Sequence, residues 1–322
     1  MNPDAFLQDI LAEPETLAAV LAAYDGAGSP LAALGPDPLA GRRVVLIGMG
    51  SSRYAALNVA GALRARGVAA VAEYASTDVP TPPRADVLAV GISASGATEE
   101  AVEALARHHG ISATVAVTNR PHAALAAVAD AVLPLLAGEE EGGVACRTFQ
   151  ATLAVLLRLA GVPTAAVAPA ADAQRALLDA RGLWLEPLLA ALDGAHAVYA
   201  IAPAARHASS LQAALMFREG PRVAADGTET GDWLHVDVYL SKHPDYRALL
   251  FGGSRYDAAV MDWARQRGST IVAVGRPVDG AALHVPFPHA DDALVCSLVE
   301  VSVAELAAAT WWRRRLDAGQ MP

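Results

Sequence analysis

The chain has 322 residues, 54% hydrophobic but only 5% aromatic, with a net charge of −10. A core of Ala, Val and Leu excludes disorder and fits two layered lobes, while the acidic balance excludes nucleic acid, whose phosphates need a basic face. Two cysteines, Cys146 and Cys296, are too few for a disulfide framework, and the acidic start Met1–Glu15 lacks the basic region of a signal peptide, so a cytoplasmic protein with no membrane partner is expected.

In chain order, Phe6–Tyr24 carries apolar residues at helical spacing, interrupted by Pro14, and the Gly/Pro-rich Gly26–Gly41 reads as a linker. Arg43–Ile47 is a β-type run followed by Gly48-Met49-Gly50-Ser51-Ser52 and a helix over Arg53–Arg66. Strands are then expected at Ala69–Tyr74, Asp86–Ile92, Thr114–Val117 and Ala131–Leu136, with helices at Thr98–His109 and His122–Val128 between them. Such alternation means a parallel sheet with helices on both faces. A Glu/Gly loop, Gly138–Gly143, leads into a helix over Val144–Leu159, and Pro163–Ala171 marks a boundary.

The second half repeats the scheme. A helix is expected over Gln174–Leu192, a strand at His196–Ile201, and a helix over Ala205–Glu219. Extended segments follow at Arg222–Ala225, Asp237–Leu240, Tyr246–Phe251, Thr270–Val274 and Leu283–Phe287, with helices at Tyr256–Arg267 and Asp292–Leu316. The reading is an α/β chain of two tandem lobes, with an N-terminal helix and linker over 1–40, a first lobe over 41–170 and a second over 171–322.

Two turns stand out. Ser93-Ala94-Ser95-Gly96-Ala97-Thr98 follows an apolar strand and precedes a helix, and Gly50-Ser51-Ser52 repeats that arrangement. A hydroxyl-rich turn at a helix N-terminus can bind a phosphate through its hydroxyls and N–H groups. It can equally be an N-cap, with Ser95 and Thr98 stabilising the helix that follows.

The motifs together resemble the sugar isomerase (SIS) domain family, in particular the isomerase half of glucosamine-6-phosphate synthases without the glutaminase domain. The family's E-I-x-E-Q-P is approached by Gln8–Pro14, its C-G-T-S by Met49–Ser52, its S-Q-S-G-E-T by Ser93–Thr98, and its G-V-A-S-T-K-x-F by Gly143–Phe149. In the second half A-L-K-L-K-E becomes Ala214–Glu219, and the segment ending H-G-P becomes Ala225–Asp237 with His235 in the histidine position. The resemblance implies a sugar-phosphate ligand held by Gly50, Ser51, Ser52, Ser93, Ser95, Gly96 and Thr98, with Cys146 where the family has a serine and Arg147 beside it. It implies Glu219 as the base that moves a proton between C1 and C2, and His235 as the ring-opening residue, contributed across a homodimer. No cofactor and no metal are expected.

Each catalytic residue also has a plainer reading: Glu219 as a solvated helix-end carboxylate, His235 as a structural histidine. The departures count too. The family lysine before the glutamate is Met216, the glutamine of S-Q-S is Ala94, and Lys242 is the sole lysine, so the C-terminal stretch Trp311–Pro322 carries none of the amine chemistry of the family's tail. An isomerase or a deaminase/deglycase is expected, and a sugar-phosphate sensor that has lost catalysis is the alternative. A nucleotide-binding Rossmann turn at Gly48-Met49-Gly50 lacks its third glycine, since Arg53 stands there.

Overall fold

The computed structural model describes residues 1–194 and 196–320. Its strands form two five-stranded, all-parallel sheets. The first contains β1 (Arg43–Gly48), β2 (Ala70–Tyr74), β3 (Val87–Ile92), β4 (Ala113–Thr118) and β5 (Ala131–Pro134), in the order β2-β1-β3-β4-β5. The second contains β6 (Val198–Ala202), β7 (Ala225–Glu229), β8 (Arg247–Phe251), β9 (Thr270–Val274) and β10 (Leu283–Val285), in the order β10-β9-β8-β6-β7. The two orders are the same when each sheet is counted from its own first strand, so the expected repeat is real. The central strands are continuous apolar runs because both of their faces are covered: every residue of β3 is buried.

Two compact bodies contain these sheets, one made of Glu15–Glu139 and Arg147–Ala168, the other of Met1–Pro14, Glu140–Cys146 and Pro169–Pro322. The chain therefore passes between them more often than a simple tandem would require. In the first body, Val45, Ile47, Ala89, Leu105 and Leu125 form a core between the sheet and its helices Glu99–Ala106 and Ala124–Ala127. Helices Gly50–Ala65 and Arg147–Leu159 pack together. In the second, helix Pro3–Leu11 lies against helix Ser302–Asp317, which in turn packs on helix His207–Glu219. The apolar stretch Ala293–Asp317 is long enough to span a membrane by length and composition, but 83% of its most apolar window is buried within the protein.

Several boundaries differ from the sequence reading. Glu13 and Pro14 open a second helix, Glu13–Ala23, because proline is tolerated in a first turn. The expected loop 163–171 holds the helix Thr164–Val167 and the start of Pro169–Asp179. A break at Ala180 then divides that helix from Arg181–Leu192. The helix expected from Val144 begins at Arg147, and that expected over Asp292–Leu316 divides into Ala293–Val299 and Ser302–Asp317. The segment Asp237–Leu240 forms a 3-10 turn, not a strand, and β7 begins where Arg222–Ala225 was expected to end.

Buried carboxyls stitch the second body together. Glu13 Oε2 accepts from Gln174 Nε2 at 2.6 Å and from Ser302 Oγ at 2.9 Å, and Glu305 lies beside it, 1% exposed. Burial holds the Glu305 carboxyl well above the usual carboxylate range, and the charge and hydrogen bond of Glu13 raise it further. Since the carboxyl holds its proton to higher pH in the folded protein than at the ordinary 4.5 of the unfolded chain, this contribution to stability is full below pH 4.5 and falls as pH rises above it. Glu305→Gln is expected to flatten the decline of Tm between pH 5 and 8, as read by thermal melts of both proteins across that range.

Candidate functional site

In the first sheet, β1 lies between β2 and β3, so the chain leaves its neighbouring strands β1 and β3 in opposite directions, and ligands collect beyond the carboxyl ends at such a switch point. Both serine turns are there. Ile47 of β1 pairs with Gly91 of β3, and the two strands run directly into Gly48–Ser52 and Ser93–Thr98.

In the second turn, Ser93 Oγ lies 2.9 Å from Thr98 Oγ1 and 3.4 Å from Ser95 Oγ, so three hydroxyls converge. Ser93 is buried and accepts from the Gly96 N–H at 3.1 Å, while Ser95 is exposed and accepts from the Ala97 N–H at 3.2 Å. The capping interpretation is not realised. Thr98 is the N-cap residue of helix Glu99–Ala106, yet no side chain caps that helix. In the first turn Met49 is the N-cap of helix Gly50–Ala65, again with no side-chain bond. Ser51 and Ser52 are half-buried, and Gly50 adopts φ +49. Two helix starts with uncapped N–H groups and adjacent hydroxyls have the donor set a phosphate dianion needs.

Gly96 is a residue that this turn cannot replace. Its φ is +63, and a Cβ there would meet Ala123 Cβ at 2.6 Å and Thr118 Oγ1 at 2.8 Å. Gly96→Ala is expected to cost about 2 kcal/mol of stability from the left-handed backbone and the overlap. Urea unfolding measures it; an unchanged midpoint would contradict the geometry.

The remaining predicted residues fall as follows. Arg147 opens helix Arg147–Leu159 in the first body and donates to the Glu139 carbonyl. Cys146 is buried in the second body, where its N–H donates to Glu140 Oε1 at 2.6 Å. The loop carrying Cys146 is fixed by the N-terminal helix: the Gly142 N–H donates to Asp9 Oδ2 at 2.7 Å, and a Cβ on Gly142 would lie 2.4 Å from Phe6 Cα. Gln212 Nε2 then ties Ala145 O to helix His207–Glu219 at 2.7 Å.

Glu219 ends that helix, half-buried. Burial pushes its carboxyl above the usual carboxylate range; the Arg218 guanidinium draws it down and the Glu140 carboxylate adds to the rise. Glu140 carries no motif signal that marks it as a neighbour, because Gly138–Gly143 reads only as a Glu/Gly loop. His235 sits in the turn after helix Thr230–Trp233, exposed, its N–H donating to Asp232 O at 2.9 Å. The turn is rigid because Trp233 is fully buried and its Nε1 donates to Tyr246 Oη at 2.7 Å. Lys242 is exposed, over the Tyr239 ring at 5.1 Å. Among the described residues no three His, Cys, Asp or Glu side chains come together as a metal site.

The family model of the SIS domain matches residues 40–161, the stretch that holds both serine turns. Over that stretch the chain is similar to the SIS domain family. A curated relative, the glutamine–fructose-6-phosphate aminotransferase of Gloeobacter violaceus, is 25% identical over 267 residues, 75% of this chain and 44% of its own. The chain thus spans less than half the length of that relative. Among solved structures, the C-terminal domain of glucosamine-fructose-6-phosphate aminotransferase from Francisella tularensis aligns with a TM-score of 0.82 at 14% identity, covering 96% of both chains. Tagatose-6-phosphate ketose/aldose isomerase from Escherichia coli gives 0.83 at 18%, covering 99% of this chain and 95% of that one. Glucosamine-6-phosphate deaminase from Thermotoga maritima gives 0.74 at 16%, covering 97% and 95%. These likenesses establish the two-lobed α/β fold along the chain, and the strand order of the first sheet is repeated in the second.

Proposed function

We propose that the protein is a phosphosugar isomerase or deaminase/deglycase of the SIS family, acting on an aldose or ketose phosphate or an amino derivative of one. The observation that carries this reading is the convergence of the Ser93, Ser95 and Thr98 hydroxyls at an uncapped helix start beside the Gly50-Ser51-Ser52 turn. Gly50, Ser51, Ser52 and Gly96 supply the remaining N–H and hydroxyl donors of the phosphate site, and the family resemblance adds Cys146 and Arg147 as sugar-binding residues.

Glu219 takes the proton from C2 of an open-chain aldose phosphate and returns it to C1 of the resulting enediol, the hydroxyl proton moving from O2 to O1, so that no co-reactant is consumed. Burial holds this carboxyl above the usual carboxylate range, which makes it a stronger proton acceptor than an ordinary carboxylate. His235 gives a proton to the ring oxygen as its bond to the anomeric carbon breaks, and the anomeric hydroxyl proton returns to the imidazole as that carbon becomes a carbonyl. The exposed Val236, Tyr239 and Leu240 around His235, at 56%, 63% and 43% of their full areas, support a homodimer in which a second copy covers that turn. The absence of lysine other than Lys242 favours proton transfer over a Schiff base.

The test is a panel of hexose 6-phosphates and 6-phosphorylated amino sugars, followed by thermal shift and by product formation. Conversion of at least one sugar phosphate is expected. Stabilisation of the native state with no conversion of any member would replace the enzyme with a sugar-phosphate sensor.

A further inference from the structure

The second body has a cleft of ≈ 830 Å³ that none of the candidate site residues above line. It lies at the amino ends of β6 and β7, bordered by Asp193 and His196 before β6, by Arg222–Ala224 before β7, and by Trp311, Arg314 and Arg315 of the last helix. In a chain of net charge −10 this concentration of arginine is a local reversal of sign. Arg314 is balanced, since it pairs with Glu186 and feels Asp193. With Glu186 and Asp193 set against Arg222, Arg314 and Arg315, the cleft keeps one net positive charge, and no carboxylate among the described residues pairs with Arg222 or Arg315.

Arg222 is unusual twice over. Its φ is +55, in the left-handed region that a side chain other than glycine rarely enters. Its guanidinium is exposed and has no hydrogen-bond or ion-pair partner among the described residues. Backbone strain at a non-glycine residue persists where the surrounding structure imposes it, and it gathers at ligand sites. Arg315 is already held in place, its Nη1 donating to Pro221 O at 2.5 Å. Trp311 adds a flat, half-buried wall, tilted against Phe217 with ring centroids 5.6 Å apart.

From this cleft, with two guanidiniums that no carboxylate pairs and an aromatic wall, the geometry points to a second ligand site, one that takes a nucleotide or similarly flat phosphorylated metabolite. The phosphate lies between Arg222 and Arg315, and the flat portion lies against Trp311. A cleft of this volume is within the usual size of small-molecule sites. Only Gly220 and Pro221 separate Arg222 from Glu219, and Arg315 grips Pro221, so occupation tightens the turn that ends the Glu219 helix. This last, regulatory step rests on the function proposed above; the binding itself does not.

The experiment is calorimetric titration of the full chain with ADP, and with pyrophosphate as a base-free control. ADP is expected to bind the unaltered protein, to bind Arg222→Gly at least tenfold more weakly, and to bind Arg222→Lys within a few-fold of the original. Glycine suits φ +55, so Arg222→Gly should melt no lower than the parent, and its loss of ligand is not a loss of fold. Ser95→Ala should leave ADP binding unchanged, which separates this cleft from the serine turns. Equal ADP affinity in the parent and Arg222→Gly overturns the site, and pyrophosphate binding as tightly as ADP overturns the aromatic half of the assignment. If no sugar phosphate is turned over, these binding results stand on their own.

Discussion

Glu219→Gln is expected to lower kcat at least a hundredfold, and as much as ten-thousandfold, while sugar-phosphate affinity stays within a few-fold of the original. The range is what a positioned general base supplies. Glutamine keeps the shape and one hydrogen-bonding oxygen, so the helix end is undisturbed, but it cannot accept the C2 proton. The pH profile of kcat/KM in the parent should have an acid limb above the ordinary carboxylate range, because burial and Glu140 both raise the group. Activity then rises as pH climbs through that limb and the base ionises. Glu140→Gln should move the limb to lower pH by removing one of the two raising influences. Full activity in Glu219→Gln would remove the residue from the mechanism.

The largest expected effect on stability comes from Arg206. It lies at the end of β6, 4% exposed, where it pairs with Glu300, which is fully buried, and donates to Gly252 O at 2.6 Å. This is the place in the second sheet that Gly48–Ser52 occupies in the first. There the repeat has been given over to structure: the turn after β8 binds a carboxylate of its own, with the Gly253 and Ser254 N–H groups donating to Asp257 Oδ2 at 2.6 and 3.1 Å. Arg206→Met leaves the Glu300 charge buried without its partner and is expected to cost about 3–5 kcal/mol in urea unfolding. Replacing both together, Arg206→Met with Glu300→Leu, is expected to recover most of that loss, because two desolvated charges are removed with the pair. A double variant as unstable as the single one would show that the surrounding hydrogen bonds, and not the ion pair, hold this corner.

How much of this could be read from the residues follows from what local patterns record. The first sheet was legible because Val44–Ile47 of β1 and Val87–Ile92 of β3 are unbroken apolar runs followed by small residues. β7 was placed too early because Ala225-Asp226-Gly227-Thr228-Glu229 is polar for a strand. It is an edge strand, and its Gly227 lies under a helix so closely that a Cβ would meet Ser210 O at 2.4 Å. Asp237–Leu240 alternates like a strand, but its Tyr239 and Leu240 point outward from a 3-10 turn. The serine turns, Glu219 and His235 carried motif signals. Glu13, Glu140 and Glu305 did not, since a buried glutamate and a solvated one are the same letter, and only packing tells them apart.

The phosphate cradle is the claim on which the rest depends, and it is most directly tested by calorimetric titration of a hexose 6-phosphate into the parent protein and into the Ser93→Ala, Ser95→Ala double variant, with the unphosphorylated hexose as control. The parent is expected to bind the phosphorylated sugar only, and the double variant to bind it at least tenfold more weakly while melting within a few degrees of the parent. Equal affinity in the two proteins, or equal binding of the free hexose, would contradict the assignment of Ser93–Thr98 as the phosphate site.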